Sequence, residues 1–434
     1  MHKKGGKSRP SSHSATDRLI IEDIGPKGDG IARNRNGQTV FIERGLPGDE
    51  VDARVAKSDD GMLRGTIERI IAPSHFRVNH PCEFYERCGG CSLQHVHDEF
   101  YEGFKDNIVR APLSKMGLKP HYLQTIFCRP ESRRRATFAV LPQGKGLLMG
   151  YYKRRSHMIT DIPDCLVVHD DVLVWRERIR PHLKSIITGS KPVDVFIQVV
   201  DGNAEIVITG AVGAKGVPDL TVREAAGRLV RDTGAARVAW RKSGYDVPEI
   251  LVQDKPLLAQ FGPLSVPLPP NAFMQPTLEG QHALTDAVME FLPPTPKAIA
   301  DLFAGCGTFS GPLLESGARV DAYDISGVDQ LAKAANGHPL KTFKRDLFDN
   351  PVSRDELNKY DVVVFDPPRA GCAAQAKEIA HSKVKCAIGV SCNPTTFAKD
   401  ARILCGSGFK LEAVRIVDQF VWSHHVELVA LFTR

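Results

Sequence analysis

The chain has 434 residues, 42% hydrophobic and 25% charged, with 57 Lys and Arg against 51 Asp and Glu, a net charge of +6 and a pI near 8.7. That length suggests roughly two to three soluble domains, and the mild basic excess permits a nucleic-acid partner without requiring one. No apolar run reaches the ~18–20 residues of a membrane helix, and the start, MHKKGGKSRPSSHSATD, lacks the apolar stretch of a secretory signal. A cytoplasmic protein with no membrane partner is therefore expected, and it is taken to be a monomer.

Residues 1–16, rich in Lys, Arg, Ser, Gly and His, read as a disordered basic arm. Residues 17–75 carry short alternating runs, RLIIEDIG, TVFIERG, DEVDARVAKS and MLRGTIERII, separated by PKGDG, RNRNG, LPGD and SDDG. Short strands punctuated by Gly and Asp turns predict a small β-barrel. The stretch GDGIARNRNGQTVFIERGLPGDEV resembles the TRAM domain, an OB-like barrel attached to RNA-modifying enzymes, and the resemblance implies RNA binding.

Residues 76–265 read as a mixed α+β domain. QHVHDEFYEGFKDNIVRAPLSKMG has apolar positions at helical spacing, and RRRATFAVL, GLLMGYYK, VDVFIQVV, AEIVITG and ARVAWRKS are strand-like. Two basic clusters stand here, Arg133 to Arg135 and Lys153 to Arg155. Ten cysteines in a large chain of this kind do not suggest a disulfide framework. Cys82, Cys88 and Cys91 cluster in CEFYERCGGC. Three close thiolates favour a soft metal or an iron–sulfur centre, with a structural zinc as the alternative. A fourth ligand must come from elsewhere, and Cys165 in IPDCLVVH is the candidate.

Residues 266–434 alternate strand and helix. AIADLF, RVDAYDI, YDVVVFD and CAIGVSC are apolar runs suited to buried parallel strands, and KLEAVRIVDQF with HVELVALFT reads as two pairing strands at the end. Parallel strands with an antiparallel finish match the methyltransferase variant of the doubly wound, Rossmann-like fold. In DLFAGCGTFSGPLL a strand runs into a glycine turn and a helix, where backbone can approach a ligand. Asp324 ends the next strand, nineteen residues past Gly305, where an acid can bind both hydroxyls of a ribose; as an alternative it caps the strand end. Asp346 stands where such folds place an acid near an adenine. YDVVVFDPPRAG delivers Asp366 and a rigid Pro-Pro-Arg loop to the carboxyl end of the sheet. Cys392, between a strand end and the start of a helix, is expected to be favoured as a thiolate by the helix dipole. Cys372 is a rival nucleophile, and Cys306 reads as loop packing.

SCNP at Ser391 to Pro394, DPPR at Asp366 to Arg369 and His425-Val426-Glu427 together resemble the RumA/TrmA family of RNA 5-methyluridine methyltransferases, and with the N-terminal features the resemblance spans nearly the whole chain. It implies an S-adenosylmethionine-dependent enzyme in which Cys392 attacks carbon 6 of a uridine, making carbon 5 able to take a methyl group. A base must then remove the carbon 5 proton, and the matching residue is Glu427. The family's cofactor positions carry over to Gln275, Phe303, Asp324, Asp346 and Asp366. Thr308 stands at a further one, where relatives often have Asn, and Val421-Trp422-Ser423 stands where relatives usually have a Pro-containing segment. Cluster-containing members hold a four-iron four-sulfur cluster with cysteines arranged like Cys82, Cys88, Cys91 and Cys165. Members with both barrel and cluster mostly modify ribosomal RNA, so 23S ribosomal RNA is expected before tRNA. The basic clusters are candidates for phosphate contacts or, alternatively, solvated faces, while Tyr101, Phe104 and Phe273 read as core. Two other readings stay open: methylation of cytosine, against which the absence of a PPCS segment speaks, and a non-catalytic RNA-binding iron–sulfur protein.

Overall fold

The computed structural model describes residues 15–434 except Lys145. Of the basic arm expected at 1–16, residues 1–14 lie outside the described residues, and Ala15 and Thr16 already belong to the first strand. The chain forms two compact units. One contains residues up to Tyr85 with Cys91–Lys105 and Trp422–His424; the other contains Glu86–Gly90, Asp106–Val421 and His425–Arg434.

The smaller unit is built on a closed barrel of β1 (Ala15–Ile24), β2 (Gly30–Arg33), β3 (Thr39–Ile42), β4 (Glu50–Lys57) and β5 (Leu63–Ala72), in the order β1-β2-β3-β5-β4. Alternation fills it: Leu19, Ile21, Ala32, Val40, Ile42, Val51, Ala53 and Val55 form its core. Four of the strands coincide with the runs predicted from sequence. The fifth, β2, lies between two turn signals and is too short for a period of two to register. Beyond the barrel, the Trp422 carbonyl accepts N–H bonds from Ser92 (2.9 Å) and Leu93 (3.1 Å), and the Trp422 N–H donates to the Tyr101 hydroxyl (3.0 Å). Helix α1 (Asp98–Lys115) contributes residues to both units.

The larger unit has two main sheets. In chain order come β6 (His121–Tyr122), β7 (Ile126–Phe127), β8 (Arg135–Gln143), β9 (Gly146–Tyr152), β10 (Ile159–Asp161), α2 (Asp170–Leu183), β11 (Val193–Val200), β12 (Asn203–Thr209), α3 (Leu220–Thr233), β13 (Arg237–Arg241) and β14 (Glu249–Gln253). The seven-stranded sheet has the order β10-β9-β8-β11-β12-β13-β14. Phe138, Val195, Ile206 and Val238 point from it into a core shared with Trp175 and Ile179 of α2 and Leu229 of α3.

Then follow the hairpin β15 (Leu258–Phe261) and β16 (Leu264–Pro267), α4 (Leu278–Glu290), β17 (Ala298–Leu302), α5 (Ser310–Leu314), β18 (Arg319–Asp324), α6 (Val328–Ala334), β19 (Leu340–Lys344), α7 (Arg354–Leu357), β20 (Val362–Phe365), α8 (Ala373–His381), β21 (Cys386–Ser391), α9 (Pro394–Cys405), β22 (Lys410–Asp418) and β23 (Glu427–Thr433). The nine-stranded sheet runs β19-β18-β17-β20-β21-β23-β22-β6, with β7 also paired to β22. β17 to β21 are parallel and β23 is antiparallel between β21 and β22. Leu284 and Leu313 from α4 and α5 cover one face, while Ile379 and Phe397 from α8 and α9 cover the other. This is the doubly wound arrangement. The edge is closed by the segment 121–127, which precedes the seven-stranded sheet in sequence. Among the described residues, no helix is long and apolar enough to cross a membrane.

Candidate active site

The parallel strands deliver the candidate residues to one edge. Phe303 follows β17, Asp324 ends β18, Asp346 follows β19, Asp366 follows β20 and Cys392 follows β21. Ligands of open α/β sheets bind at this carboxyl edge. The turn after β17 is opened by backbone that only special conformations allow: Phe303 has φ +64° and Gly305 φ +56°. Gly327 (φ +80°) approaches so closely that a Cβ there would stand 2.6 Å from the Gly305 carbonyl. The Asp324 carboxylate accepts the N–H of Gly305 (2.9 Å) and of Ser326 (2.8 Å), tying the turn to the end of β18. Thr308 is half-buried in the same turn.

Asp346 accepts the N–H of Phe348 (2.9 Å), and the Phe348 ring, 47% exposed, lies 5.6 Å from that of Phe303. Phe348 was not singled out in the sequence; an apolar residue two places past a turn acid was its only signal.

Acids accumulate at this edge. Burial pushes the Asp366 carboxyl up to about 7, with the charge of Asp324 adding to it. One residue inside β17, Asp301 has no exposed surface, and burial pushes it up to about 7 although the Ser310 hydroxyl donates to it (2.5 Å). Its Oδ1 is buried without a partner among the described residues. Mutual repulsion of carboxyls in a low-dielectric setting suits a cationic ligand. The residues therefore fit a sulfonium cofactor: acids for positive charge, a carboxylate at a strand end for ribose hydroxyls, and two rings beside Asp346 for a base.

Sheet register sets the chemistry. Ser391 pairs with Leu428 across β21 and β23, and Val417 pairs with Glu427 across β22 and β23, so Glu427 and Cys392 stand beside each other at the same edge. The loop at Asp366 is fastened to the cysteine loop: Asn393 Nδ2 (2.8 Å) and Thr396 Oγ1 (3.1 Å) both donate to the Arg369 carbonyl. Arg369 Nη2 lies 3.1 Å from His425 Nδ1.

Glu427 is 4% exposed, and burial with the charge of Asp366 holds its carboxyl well above the usual range. Gln419 hydrogen-bonds Glu427 and donates from Nε2 to Gln275 Oε1 (2.7 Å), so Gln275 is joined to the acid through Gln419. α4 can approach Gln419 only because Gly280 has no side chain: a Cβ there would meet Gln419 Oε1 at 2.5 Å. A polar residue closing the apolar run of β22 was the only sequence sign of Gln419.

Three expectations change. Burial, reinforced by Glu427 and Asp366, pushes the Cys392 thiol up to about 11, against the opposing charge and hydrogen bond of Arg369. Burial and the two acids thus outweigh the groups that favour the thiolate. Phe273 is not core; it is 62% exposed, with the Arg135 guanidinium 4.5 Å from its ring centre. Arg134 and Arg135 are not a solvated face, since burial lowers both to about 10 and Arg134 donates to the Gln275 carbonyl (3.0 Å) and to Gln281 (2.7 Å). Lys153 to Arg155 form the turn between β9 and β10, where Arg155 has φ +51°. The rival Cys372 is 3% exposed, its thiol held well above the usual value by burial and then by Asp400. Cys306 is buried in the core, and Phe104 is 7% exposed.

Cys82 and Cys91 belong to the smaller unit, Cys88 and Cys165 to the larger. All four are half-buried and none is in a disulfide, and the Gly90 N–H donates to Cys88 Sγ (3.3 Å). Soft sulfur ligands and an amide aimed at sulfur fit an iron–sulfur centre chemically. Among the described residues, no group of three or more His, Cys, Asp or Glu side chains is gathered to hold a metal.

Comparison with known proteins gives one consistent set of likenesses. The TRAM domain model matches residues 11–67, and the tRNA (uracil-5-)-methyltransferase model matches residues 341–434. A protein of Brucella suis named as an RNA methyltransferase is 34% identical over 97% of this chain and 99% of its own length. The 23S rRNA (uracil(1939)-C(5))-methyltransferase RlmD of Pseudomonas entomophila is 30% identical over 96% of this chain and 93% of its own. The crystal structure of Pyrococcus abyssi tRNA (uracil-54, C5)-methyltransferase with S-adenosyl-L-homocysteine superposes with a TM-score of 0.74, at 21% identity over 96% of this chain and 99% of that one, and so shares the fold.

Proposed function

The chain belongs to the family of S-adenosylmethionine-dependent RNA uracil-C5 methyltransferases, and from that premise we propose that it methylates carbon 5 of a uridine in 23S ribosomal RNA, with Cys392 as nucleophile and Glu427 as base. The observation that carries this reading is the register of β21, β23 and β22, which seats Glu427 beside Cys392 at the edge where Asp324 and Asp366 also stand. The choice of ribosomal RNA rests on the relative from Pseudomonas entomophila; tRNA is the second reading.

The target base leaves its stack to reach the edge, and the exposed Phe273 ring offers it a surface. Cys392 gives its proton to solvent and its sulfur bonds to carbon 6, the carbon 5–carbon 6 π pair moving toward the carbon 4 oxygen as an enolate, while Arg369 holds positive charge beside the sulfur. Phe303, Thr308, Asp324, Asp346, Asp366 and Gln275 would hold S-adenosylmethionine, which would supply the methyl group to carbon 5, and the positive charge of a sulfonium would favour ionised Asp366 and Glu427. Glu427 then takes the carbon 5 proton, carbon 6 releases the sulfur, and Cys392 is restored. Methyl-labelled cofactor and RNA from a strain lacking the protein should yield labelled 5-methyluridine in the 23S fraction. Label confined to 5-methylcytosine overturns the reaction, and label confined to tRNA overturns the substrate.

The proposal includes a four-iron four-sulfur cluster on Cys82, Cys88, Cys91 and Cys165, supported by their spacing and by the chemistry of the four thiols. It has no part in methyl transfer, which moves no net electrons. Anaerobically purified protein should contain about four irons and four sulfides per chain; stoichiometric zinc without sulfide overturns it.

A further inference from the structure

On the face of the seven-stranded sheet turned away from α2 and α3, polar side chains stand as cross-strand neighbours. Arg135 in β8 is opposite Gln198 in β11, Gln198 opposite Glu205 in β12, and Glu205 opposite Arg237 in β13. Gln198 and Glu205 have no exposed surface and Arg237 is 3% exposed. Arg135 Nε, both amide atoms of Gln198 and Glu205 Oε2 are buried without a hydrogen-bond partner among the described residues. A buried ion pair rarely stabilises a fold more than well-packed apolar residues of the same volume would, and unpartnered polar atoms make the comparison worse. Stability does not account for this row.

What the pair holds is the turn between β16 and α4. Glu205 Oε1 accepts from Arg237 Nε (3.0 Å) and Nη2 (2.7 Å), and also from the backbone N–H of Asn271 (3.0 Å). Arg237 Nη1 donates to the Leu268 carbonyl (3.0 Å). Both ends of a four-residue turn are thus gripped by one ion pair. Asn271 has φ +59°, a left-handed conformation uncommon outside glycine. Immediately beyond it the chain delivers Phe273, exposed under Arg135, and Gln275, bonded to Gln419.

We propose that Glu205 and Arg237 are positioning residues, a buried clamp on the Leu268–Asn271 turn that sets where Phe273 and Gln275 stand in the reaction site. The inference rests on the methyltransferase reading for its catalytic consequence and on geometry alone for the clamp. The full-length protein is compared with Glu205→Gln and with the double variant Glu205→Leu, Arg237→Met. The glutamine oxygen can still accept the Asn271 N–H; the apolar pair fills the space and grips nothing.

In the double variant, amide exchange at residues 271–275 should rise by at least about tenfold while the rest of the seven-stranded sheet stays protected. KM for RNA from a strain lacking the protein should rise about tenfold, with kcat changed by less than about threefold. Glu205→Gln should recover exchange and KM to within about twofold of wild type. Wild-type exchange at 271–275 in the double variant overturns the clamp, as does an increase spread evenly over the sheet or a Glu205→Gln variant as impaired as the double one. A double variant with raised exchange and unchanged KM overturns the catalytic role. If the wild type makes no 5-methyluridine, the functional reading has failed, and the exchange measurement still decides whether the clamp exists.

Discussion

Asp301 in β17 and Glu205 in β12 are both carboxyls without exposed surface, and burial raises both above their ordinary values. Their surroundings differ. Glu205 has its own cation, Arg237, at 2.7 Å. Asp301 has the hydroxyl and the backbone of Ser310 but no cation among its interacting groups, and its charged neighbours, Asp366 and Asp324, are acids. A carboxyl supplied with its counter-charge by the chain is finished as a structural part. A group of acids without one is arranged for a positive charge that arrives from outside, as the sulfonium of S-adenosylmethionine would. On the proposed function the nine-stranded sheet handles the ligand, and the seven-stranded sheet holds the parts that meet it.

The contrast can be broken most sharply at Cys392 and Glu427. Cys392→Ala should lower 5-methyluridine formation by more than about 10⁴-fold and abolish the covalent adduct with 5-fluorouridine RNA. Glu427→Gln should lower turnover by about 10²–10⁴-fold, yet adduct with ordinary RNA should accumulate, because sulfur attack and methyl transfer precede the proton removal. A Glu427→Gln variant that forms no adduct would show that the acid acts before methyl transfer. Next in size, Asp324→Ala should weaken S-adenosyl-L-homocysteine binding about 10–100-fold by calorimetry, the loss expected for charge-assisted hydrogen bonds. Unchanged affinity would leave Asp324 as a strand-end cap on Gly305 and Ser326.

The smallest effect sharpens the comparison through pH. Asp301 binds its proton more tightly in the folded chain, near pH 7, than in the unfolded chain, near 3.8. Its contribution to stability is full below about pH 4 and is lost as pH rises to about 7, on the order of 4 kcal/mol at most. In cofactor-free protein, Asp301→Asn should flatten the fall of denaturation midpoint between pH 4 and 7. An unaltered slope would mean that Asp301 is ionised throughout, as a fully paired acid would be.

Much of this was legible before any coordinates. Ser391 to Pro394, Asp366 to Arg369 and His425 to Glu427 are contiguous motifs, each tied to a strand end that apolar runs announce, and the barrel strands alternate visibly. Other parts were not legible for physical reasons. The strand β2 spans four residues, and β6 and β7 span two each, too short for any periodicity. Phe273 looked like core because an aromatic ring usually is; its exposure depends on a turn held by Glu205 and Arg237, thirty or more residues away in sequence. Gln419 gains meaning only from Gln275 and Glu427, partners in other elements. The titration of Cys392 is not legible in the sequence because the helix start is local and visible, whereas the burial and the acids that raise it, Glu427 and Asp366, come from elsewhere in the chain.

What the sequence by itself determined is the chemistry available: one cysteine after a buried strand, an acid near the end, acids after successive strands, glycines in the cofactor turn, and four cysteines at suggestive spacing. What only the tertiary structure decided is how that chemistry is held and charged. Cross-strand register put Glu427 beside Cys392, burial set which groups keep their protons, and a buried ion pair in another sheet fixed the turn carrying Phe273 and Gln275. Residue identity is a local property, but electrostatic environment and reach depend on neighbours that distant parts of the chain bring together.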